Sequence, residues 1–598
     1  MANDLPFGAA PGSGMVRPAP PRPPTSTAAA PPRRRPEGPP PPSLPPLGRR
    51  GPAADGLIAP GAQVRVPSRR SRDLHAELLS GSYTGLAFTP LKSPSFGSYA
   101  RTPAGVTIGS AGGDLGGIGS PIFSELGEVP RRELLRPGER GQELRRKLLR
   151  GSKIVFVTAG YAGKRFILER AHALGVVVIV VDSAESWSHG LVAEGIVDHF
   201  IAVDMTDADS IPEQTMEGIA ALEDEIGNVD GVVTFAELAI PMVARLADAL
   251  GLPGNPLHAI EAARDKHKTR ELMAAAKLPT PDFYKINSAD DIAAAAAAVG
   301  FPAVIKPASG IASIGVLRVN DLEDLQTGYR AVMKQMDAAI VTSGCMVVNQ
   351  DEAAQQEEKE NSKSWVNRTI IMEQYLDGAE VDVDIVMSDG EVTYAAVTDN
   401  WPTCEPYFLE TGSNSPSTLA KDQQDQLRGL CVASCRALGL TTGVFHVEAK
   451  MTSHGPRLIE VNGRMGGGPV WKTNLNVWGV DLVEEHLFAS LSIPTRPPKS
   501  KEPLMAMAEM SINAPFTGVI VDDSFMAAYA ADADVLYAKP LVKVGDKVVG
   551  PDQGLPSWLG EIAVRKPTLE GAIAFIKELE EKFASLSPGE PGPIRLLQ

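Results

Sequence analysis

Two glutamates in the second half of the chain are spaced so that they could hold a metal ion together. Residues 443–467 read GVFHVEAKMTSHGPRLIEVNGRMGG, with polar and apolar side chains alternating on both sides of the turn-forming segment 452–456. This alternation predicts a β-hairpin with one polar and one apolar face. If the turn centres on His454, Glu448 lies directly opposite Glu460.

The two opposed carboxylates repel each other and therefore require a neutralising partner. Side chains directly opposite in an antiparallel pair have Cβ atoms about 4.5–5.5 Å apart, and like charges there are destabilising. Carboxylates together with the amide oxygen of Asn462 form the oxygen-rich ligand set that Mg²⁺ takes beside nucleotide phosphates. Arg464 adds a fixed positive charge, and Gly466 and Gly467 allow the backbone to approach a ligand closely. The alternative is a solvated hairpin face that binds nothing.

Lysines upstream of the hairpin are placed where they could bind phosphate. Lys266 follows an aspartate at the start of a predicted helix, and Lys306 ends a predicted apolar strand just before a proline. The Gly/Ser loop 309–315, with Ser313 and Gly315, comes next, and its backbone amides could turn towards a polyphosphate. The Walker pattern GxxxxGK[ST] is absent. For each lysine the alternative is an ordinary solvated surface position.

Two further predicted strands offer contacts for the rest of a nucleotide. The stretch 369–376 (TIIMEQYL) is followed by a turn and by the strand 380–386 (EVDVDIV). Glu373 and the backbone up to Leu376 are predicted to meet the edge of an adenine base, and Glu380 is predicted to reach ribose hydroxyls.

The order of these residues resembles the ATP-grasp superfamily of ligases over residues 151–490. The segment TDNWPTCEPYFLETGSNSPS at 398–417, with GVFHVEAKM and LIEVNGRMGG, is similar to carnosine-synthase-like and related ATP-dependent amino-acid ligases. The resemblance implies ATP and two divalent ions, Mg²⁺ or Mn²⁺, as cofactors. It also implies roles for individual residues: ATP binding by Lys266, Lys306, Ser313, Gly315, Glu373, Leu376 and Glu380, metal ligation by Glu448, Glu460 and Asn462, and stabilisation of the transferring phosphoryl group by Arg464.

The reaction implied by the resemblance joins a carboxylate to an amine. The carboxylate attacks the γ-phosphorus of ATP, and an amine then displaces phosphate from the acyl phosphate to form a dipeptide or similar amide. Glu405 and Glu410, within 398–412, are predicted to bind an amino group, and Gly466 and Gly467 to lie beside the substrate. Two alternatives remain open: an ATP-grasp carboxylase that uses bicarbonate, and a nucleotide-binding scaffold that acts through its proline-rich tail.

An α/β fold with α+β subdomains must position these residues, because buried strands alternate with amphipathic helices from Lys153 onward. The resemblance implies an ATP-grasp fold with an N-terminal domain built on a parallel sheet. The predicted chain begins with a disordered Pro/Gly/Ser/Arg-rich tail at 1–125 and a basic helical lead-in at 126–150, followed by the parallel-sheet domain at 151–257. The ATP-grasp domain is predicted at 258–490, and it includes a lid at about 280–372 and a mobile insertion at about 345–367. A small C-terminal β/α subdomain is predicted at 491–598.

Charge and hydropathy patterning restrict the partners. Residues 1–150 carry 21 Lys and Arg residues and 11 Asp and Glu residues, so this part is basic. Residues 151–598 carry 36 Lys and Arg residues and 62 Asp and Glu residues, so the folded part is acidic. An acidic folded part argues against nucleic acid as a partner, and without an 18-residue apolar run no membrane span is expected. The predicted partners are small-molecule amino acids or other carboxylates.

Location and regulation are predicted from the cysteines and the tail. Four cysteines are too few for a disulfide framework, which favours the reducing cytoplasm. An N-terminus rich in Ala, Ser and Arg leaves an organelle transit peptide as the alternative. Ser/Thr-Pro steps at Thr89, Ser93, Thr102 and Ser120 are candidate sites for a proline-directed kinase. A homo-oligomer is a further prediction.

Overall fold

The computed structural model describes residues 121–310, 313–337, 339–342, 345–348, 367–551, 553, 555–585 and 593–595. The predicted disordered tail up to residue 120, its Ser/Thr-Pro steps and most of the predicted insertion lie outside the described residues. The described residues form β-sheets of four, four, eight, three and two strands, with helices packed against them.

From residue 121 onward, where the described residues begin, three short helices precede the first described strand: α1 (Pro121–Glu128), α2 (Arg131–Leu134) and α3 (Glu139–Leu149). The prediction of disorder up to residue 125 is wrong for residues 121–125, which belong to α1. Ile122 and Phe123 are buried, Phe123 to 1% exposure, and pack into the core of the parallel-sheet domain. Their apolar helix face is covered by that core, although the Gly- and Ser-rich composition around them is typical of disorder.

A parallel four-stranded sheet forms the N-terminal domain. Three of its four strands are short, rich in Val and Ile, and buried, as expected for a sheet covered on both faces. The strand order is β3-β2-β1-β4, and each neighbouring pair is parallel, which confirms the predicted sheet. The elements are β1 (Lys153–Val157), α4 (Arg165–Ala173), β2 (Val177–Asp182), α5 (Gly190–Ala193), β3 (His199–Ala202), α6 (Ile211–Ile226), β4 (Gly231–Val233) and α7 (Ile240–Leu250).

An antiparallel four-stranded sheet with two covering helices follows, in the stretch for which a lid is predicted. Its order is β5-β10-β6-β7, and Ile305, Val319 and Met372 are completely buried in its core. The elements from the domain junction onward are α8 (Leu257–Arg264), α9 (Lys266–Ala275), β5 (Phe283–Ile286), α10 (Ile292–Val299), β6 (Ala303–Pro307), β7 (Leu317–Val319), α11 (Leu322–Asp337), the hairpin β8 (Ala339–Thr342) and β9 (Cys345–Val348), and β10 (Ile370–Gln374).

An eight-stranded antiparallel sheet is the largest layer, in the order β15-β14-β11-β12-β13-β16-β20-β18. Helix α12 packs on it through Leu427, Cys431 and other buried side chains. The elements are β11 (Ala379–Ser388), β12 (Glu391–Asn400), β13 (Gly412–Ser415), α12 (Lys421–Leu438), β14 (Gly443–Thr452), β15 (Gly455–Asn462), α13 (Val470–Thr473), α14 (Leu482–Ser490), β16 (Ala506–Asn513), β17 (Gly518–Ile520), α15 (Ala527–Ala530), β18 (Val535–Pro540), β19 (Lys547–Val548), β20 (Trp558–Lys566), α16 (Leu569–Ala584) and β21 (Ile594–Arg595).

The C-terminal stretch 491–598, predicted to be a small β/α subdomain, has a hydrophobic core of its own, and its main strands extend the eight-stranded sheet. Strand β16 pairs with β13, and β20 and β18 extend the same sheet. A three-stranded sheet, β19-β17-β21, stands apart from it. Strand β16 is buried along almost its whole length, and its pairing with the distant strand β13 is not revealed by a local pattern.

In the part of the chain that the structure describes, no helix is both long enough and apolar enough to span a bilayer.

Candidate active site

A cavity of about 570 Å³ is lined by residues of the four-stranded antiparallel sheet, the eight-stranded sheet and the loop after β4. Most of the predicted site residues meet there, although they are spread over some two hundred positions of sequence. Gly315, Glu405 and Gly466 are predicted site residues that do not line it. Those that do are Lys266, Lys306, Ser313, Glu373, Leu376, Glu380, Glu410, Glu448, Glu460, Asn462, Arg464 and Gly467.

The predicted hairpin is present, and its register brings the polar side chains together. Strands β14 and β15 pair so that Glu448 lies opposite Glu460 and His446 lies opposite Asn462. The facing carboxylates and the amide thus share one part of the cavity wall, as the alternation predicts.

The turn of this hairpin is shorter than predicted. Pairing continues to Thr452 and Gly455, so that only Ser453 and His454 form the turn. A β-bulge at Ile459 adds one residue to β15 and restores the predicted register nearer the site. The Ile459 carbonyl accepts a hydrogen bond from Arg270 at 2.7 Å, so the irregular backbone is held by a side chain from α9.

A lysine contacts one of the two opposed glutamates. Lys266 is the first residue of α9, where Asp265 caps the helix by accepting from two backbone N–H groups. The Lys266 ammonium lies 2.8 Å from Glu460 Oε1. Burial raises the pKa of Glu460, but the ammonium outweighs burial and brings that pKa below its usual value. Burial, then Glu460 and Asp382, raise the pKa of Glu448 to about 8.

Glu373 is held between two cations. Its carboxylate lies 2.7 Å from Arg270 Nε and 2.7 Å from Lys306 Nζ, and all three side chains are buried. Burial would raise the pKa of Glu373, yet Arg270 and Lys306 lower it to about 2. The geometry therefore supports a different role from the predicted adenine contact, namely fixing the position of Lys306. Arg270 lies four residues after Lys266, and this helical spacing could have identified it.

The residues predicted to meet the nucleoside surround a lysine that was not among the predicted site residues. Lys450 Nζ lies 3.4 Å from Glu380 Oε2 and donates to the Leu376 carbonyl at 3.5 Å. It also lies 6.0 Å from the centre of the Tyr375 ring, at the limit of a cation–π contact. Because Lys450 follows Glu448 by two residues on one strand, the period-two alternation could have identified it.

Arg464 enters the cavity wall just beyond β15. Its guanidinium donates to the Met465 carbonyl at 3.0 Å and to Asn462 Oδ1 at 3.4 Å. The carboxylate of Glu237 lies 2.7 Å from Arg464 Nε. Glu237 comes from the parallel-sheet domain, more than two hundred residues earlier, and no local motif marks it.

Four carboxylates form an acidic wall of the cavity: Asp382, Glu410, Glu509 and Glu561. Burial within the cleft, followed by Asp382 and Glu380, raises the pKa of Glu410 to about 7, although the side chain is accessible from the cleft. Glu509 is 6% exposed, and burial together with Glu410 and Glu561 raises its pKa well above the usual value. Crowded, desolvated carboxylates of this kind favour a bound cation such as an ammonium group.

His446 lies beside the acidic wall. Its Nδ1 is 2.8 Å from Asp384 Oδ1 and its Nε2 is 3.7 Å from Asp382 Oδ2. Burial lowers the pKa of His446, but the two aspartates outweigh burial and raise that pKa to about 10. Asp384 also accepts from Asn474 Nδ2 at 2.7 Å. This network holds a positively charged imidazole in a fixed orientation.

The predicted glycines have different surroundings. A methyl group at Gly466 would lie 2.6 Å from His446 Nδ1, whereas one at Gly467 would have no other heavy atom within 4 Å. Gly315 has φ +76, a conformation that favours glycine. Packing thus requires a glycine at position 466, while Gly467 leaves open space in the cavity.

Glu405 lies outside the cavity and joins two segments instead. Its carboxylate pairs with Arg318 and accepts from the Tyr375 hydroxyl at 2.7 Å. Ser313 of the loop before β7 donates to a backbone carbonyl of the same β12–β13 connection. The structure thus gives Glu405 partners other than the predicted amino group, whereas Glu410 of that connection does line the cavity.

The hairpin residues fit a divalent cation shared with phosphate. Within the described residues no group of three or more His, Cys, Asp and Glu side chains is arranged as a metal site. Glu448 and Glu460 nevertheless face each other, and the Asn462 amide is 3.4 Å from Glu448 Oε1. Mg²⁺ commonly takes one or two carboxylates and leaves its other positions to water and phosphate oxygens. Burial, then the neighbouring Glu460 and Asp382, raise the pKa of Glu448, and a bound cation would offset this crowding of negative charge.

Domain models of known families match three parts of the chain. Residues 168–254 match the ATP-grasp N-terminal domain, and residues 345–472 match the ATP-grasp domain. Residues 265–350 match the ATP-binding domain of the carbamoyl-phosphate synthase L chain.

Individual proteins are similar over larger parts. Carnosine synthase 1 of Gallus gallus is 30% identical over 419 residues, which are 69% of this chain and 42% of that protein. The alanine–anticapsin ligase of Bacillus subtilis (strain 168) is 26% identical over 46% of this chain and 56% of that protein. This chain therefore spans about two fifths of the length of the carnosine synthases that it matches.

The solved structure of the L-amino acid ligase from Bacillus licheniformis has the same fold. It superposes with a TM-score of 0.58 at 23% identity and covers 72% of this chain and 98% of that chain. The predicted ATP-grasp fold is confirmed by this likeness and by the domain matches.

Proposed function

Because the chain belongs to the ATP-grasp superfamily, we propose that it is an ATP-dependent carboxylate–amine ligase that forms a dipeptide or a similar amide. The observation that carries the proposal is that one cavity joins lysines, opposed glutamates and Arg464 to the acidic wall. The lysines, the opposed glutamates and Arg464 suit phosphoryl transfer. The acidic wall suits the ammonium group of an amino acid. The ligases among the similar proteins support the same reaction class.

The phosphate end of ATP would lie near Lys266, Lys306 and Arg464. Lys306 is kept in place by Glu373, and Lys266 by Glu460. The nucleoside end would lie near Leu376, whose carbonyl is already oriented by Lys450. This placement spans the cavity without using the acidic wall.

Glu448, Glu460 and Asn462 would hold divalent cations, Mg²⁺ or Mn²⁺, and we propose two ions. When bound, these ions neutralise charge on the phosphate oxygens. Lys266 prepares the site by keeping Glu460 ionised, as the lowered pKa of Glu460 indicates. Glu448 must lose its proton on binding the cation, because only the carboxylate is a ligand.

The reaction consists of two transfers. In the first, a substrate carboxylate oxygen bonds to the γ-phosphorus, the bond from that phosphorus to the bridging oxygen breaks, and ADP leaves. In the second, the amine nitrogen bonds to the acyl carbon, the bond from that carbon to the phosphate oxygen breaks, and phosphate leaves. Arg464 offsets charge on the transferring group. Glu410 lines the cavity beside the other carboxylates and is placed to accept the proton that the nitrogen loses.

The two alternative functions have less support. A carboxylase has less support, because the relatives described above are named as a carnosine synthase and an alanine–anticapsin ligase. A scaffold would not require buried lysines held by acidic partners in a cavity. Cytoplasmic location, a homo-oligomer and a kinase acting on the tail remain predictions from the sequence.

Product analysis tests the proposal. The purified protein is incubated with ATP, Mg²⁺ and pairs of amino acids or other carboxylates, and ADP, phosphate and amide are quantified. We expect equal amounts of the three products for the correct pair. With an ¹⁸O-labelled carboxylate, one ¹⁸O should appear in the released phosphate. Release of AMP and pyrophosphate, or ADP release that requires bicarbonate and gives no amide, would refute the proposal.

A further inference from the structure

Glu237 lies at the carboxyl end of β4, where the chain leaves the parallel sheet. It opens a short 3-10 turn, Glu237–Ala239, that precedes α7. Its side chain is 7% exposed and lines the cavity. Ligands of open α/β sheets bind at the carboxyl ends of strands, so this is a position from which the N-terminal domain can act on the site.

Two arginines from the chain beyond residue 257, Arg264 and Arg464, lie beside this carboxylate. Arg464 Nε lies 2.7 Å from Glu237 Oε2, and Arg264 Nε lies 3.6 Å from Glu237 Oε1. The Nε–H bond of Arg464 is not aligned with the oxygen, so the contact is an ion pair rather than a well-formed hydrogen bond. A buried carboxylate needs such partners, since removing a charge from water is costly.

The remaining contacts of Arg464 restrain it only weakly. Its guanidinium donates to Asn462 Oδ1 at 3.4 Å and to the carbonyl of its neighbour Met465. Asn462 is itself a proposed metal ligand, and its amide also donates to Glu448 Oε1 at 3.4 Å. The contact with Glu237 is different because Glu237 lies outside the hairpin segment. The backbone of Glu237 is held by the core of the parallel-sheet domain, which includes its neighbours Leu238 and Ala239.

We propose that Glu237 is a positioning residue that holds the Arg464 guanidinium in the orientation needed for phosphoryl transfer. The inference rests on the proposed function, because it assigns Arg464 to the transferring group. It adds that the parallel-sheet domain supplies part of the reaction centre and is more than a platform for the ATP-grasp domain.

A double-mutant cycle tests this role. Glu237→Gln keeps the shape of the side chain and removes its charge, and we expect kcat to fall by about 10²-fold, the cost of a misplaced catalytic group. The ATP dissociation constant, measured by calorimetry, should change by less than about threefold because the nucleoside contacts are remote. In an Arg464→Met background, Glu237→Gln should cause little further loss, since residues that act as a unit are non-additive. Additive effects would overturn the inference.

Two variants separate positioning from general stability. Glu237→Asp keeps the charge on a shorter side chain and should recover part of the lost kcat. Asp481→Asn is the matched control: Asp481 is 8% exposed and lies 2.6 Å from Arg170 of the parallel-sheet domain, but outside the cavity. Asparagine preserves its helix cap. We expect this control to leave kcat unchanged; an equal loss in both variants would show that Glu237 only joins the domains.

A crystal structure of Glu237→Gln gives a readout that does not depend on activity. The Arg464 guanidinium should move by about 1 Å or more, beyond the tolerance of a preorganised site, while the hairpin backbone stays in place. An unmoved guanidinium would refute the inference even if the protein proves inactive with every substrate pair. Conversely, a displaced guanidinium in a protein without ligase activity would refute the proposed function and leave the positioning contact established.

Discussion

Glu448 lies directly opposite Glu460, and the Lys266 ammonium contacts Glu460 at 2.8 Å. The two facing carboxylates therefore differ in charge state. The pKa of Glu460 is below its usual value, whereas burial, Glu460 and Asp382 raise the pKa of Glu448 to about 8. In the proposed metal site, Glu460 would be ionised before the cation binds, and Glu448 would have to lose its proton to become a ligand.

Glu460→Gln should abolish ligation without unfolding the protein. The substitution removes the ionised half of the opposed pair and the partner of Lys266, so both cation binding and lysine placement are lost. Activity is measured as amide formation over a range of Mg²⁺ concentrations, with circular dichroism as the control for folding. Near-normal turnover with an unchanged Mg²⁺ dependence would contradict the metal assignment.

Arg464→Met should lower kcat by about 10²–10³-fold, the usual loss for one preorganised transition-state donor. The variant keeps an apolar stem of similar length and removes the guanidinium. ATP affinity should change far less, because the contacts at Leu376 and Lys450 do not involve Arg464. Stopped assays of ADP release and separate calorimetry distinguish the two effects; a parallel loss of both would place Arg464 in nucleotide binding instead.

The parts of the site that depend on local pattern could be predicted. The hairpin register near the site follows from period-two alternation. The turn is shorter than predicted, but the bulge at Ile459 adds one residue and restores the predicted register at Glu448 and Glu460. Lys266 and Lys306 are marked by a helix start and a strand end. These features need only the few residues on either side of each position.

The contacts formed by chain topology could not be predicted. Glu237 and Glu509 reach the cavity from a different domain and from a distant strand, and nothing near them in sequence indicates it. Glu373 lies on its predicted strand, but its partner Arg270 determines what its charge does, as Arg318 does for Glu405. An isolated carboxylate in a sequence does not show whether it will meet a ligand or an arginine.

Gly466→Ala should destabilise the protein by about 1–3 kcal/mol, the usual cost of overpacking. The added methyl group would lie 2.6 Å from His446 Nδ1, and His446 is bonded to Asp384 and cannot move freely. Gly467→Ala is the matched control, because no other heavy atom lies within 4 Å of its methyl group. Urea unfolding of both variants provides the comparison, and equal stabilities would show that His446 yields easily.

Phe123→Ala should lower the free energy of unfolding by about 3–5 kcal/mol, as for other buried aromatic residues. Phe123 is 1% exposed in the core of the parallel-sheet domain. Glu125→Ala on the same helix is the control, because Glu125 is exposed and should cost less than about 0.5 kcal/mol. If Phe123→Ala is equally mild, helix α1 contributes nothing to the stability of the domain.

Glu485→Gln should stabilise the protein more at pH 8 than at pH 5. Burial raises the pKa of Glu485 to about 8, so between its ordinary pKa of 4.5 and pH 8 the folded state keeps a proton that the unfolded state releases. The contribution of the Glu485 side chain to the free energy of unfolding is fully present below pH 4.5 and is lost as pH rises through 8. Glutamine cannot ionise and can still accept from Gln142, the present partner at 2.9 Å.

Urea unfolding at both pH values measures this effect. The stability difference between variant and wild type should grow by roughly 1–3 kcal/mol from pH 5 to pH 8. A difference that does not change with pH would show that Glu485 is ionised in the folded protein throughout this range.

The continuous sheet from β15 to β18 limits how enzymes of this kind can be recombined. A chimera that exchanged the C-terminal stretch with that of a relative would have to re-form the β13–β16 ladder, residue for residue, before any substrate contact could be transferred. Glu509 and Glu561 belong to this ladder and its neighbour, so their positions on the cavity wall depend on strand register. Altering specificity therefore calls for point substitutions within the existing sheet, and not for the exchange of modules.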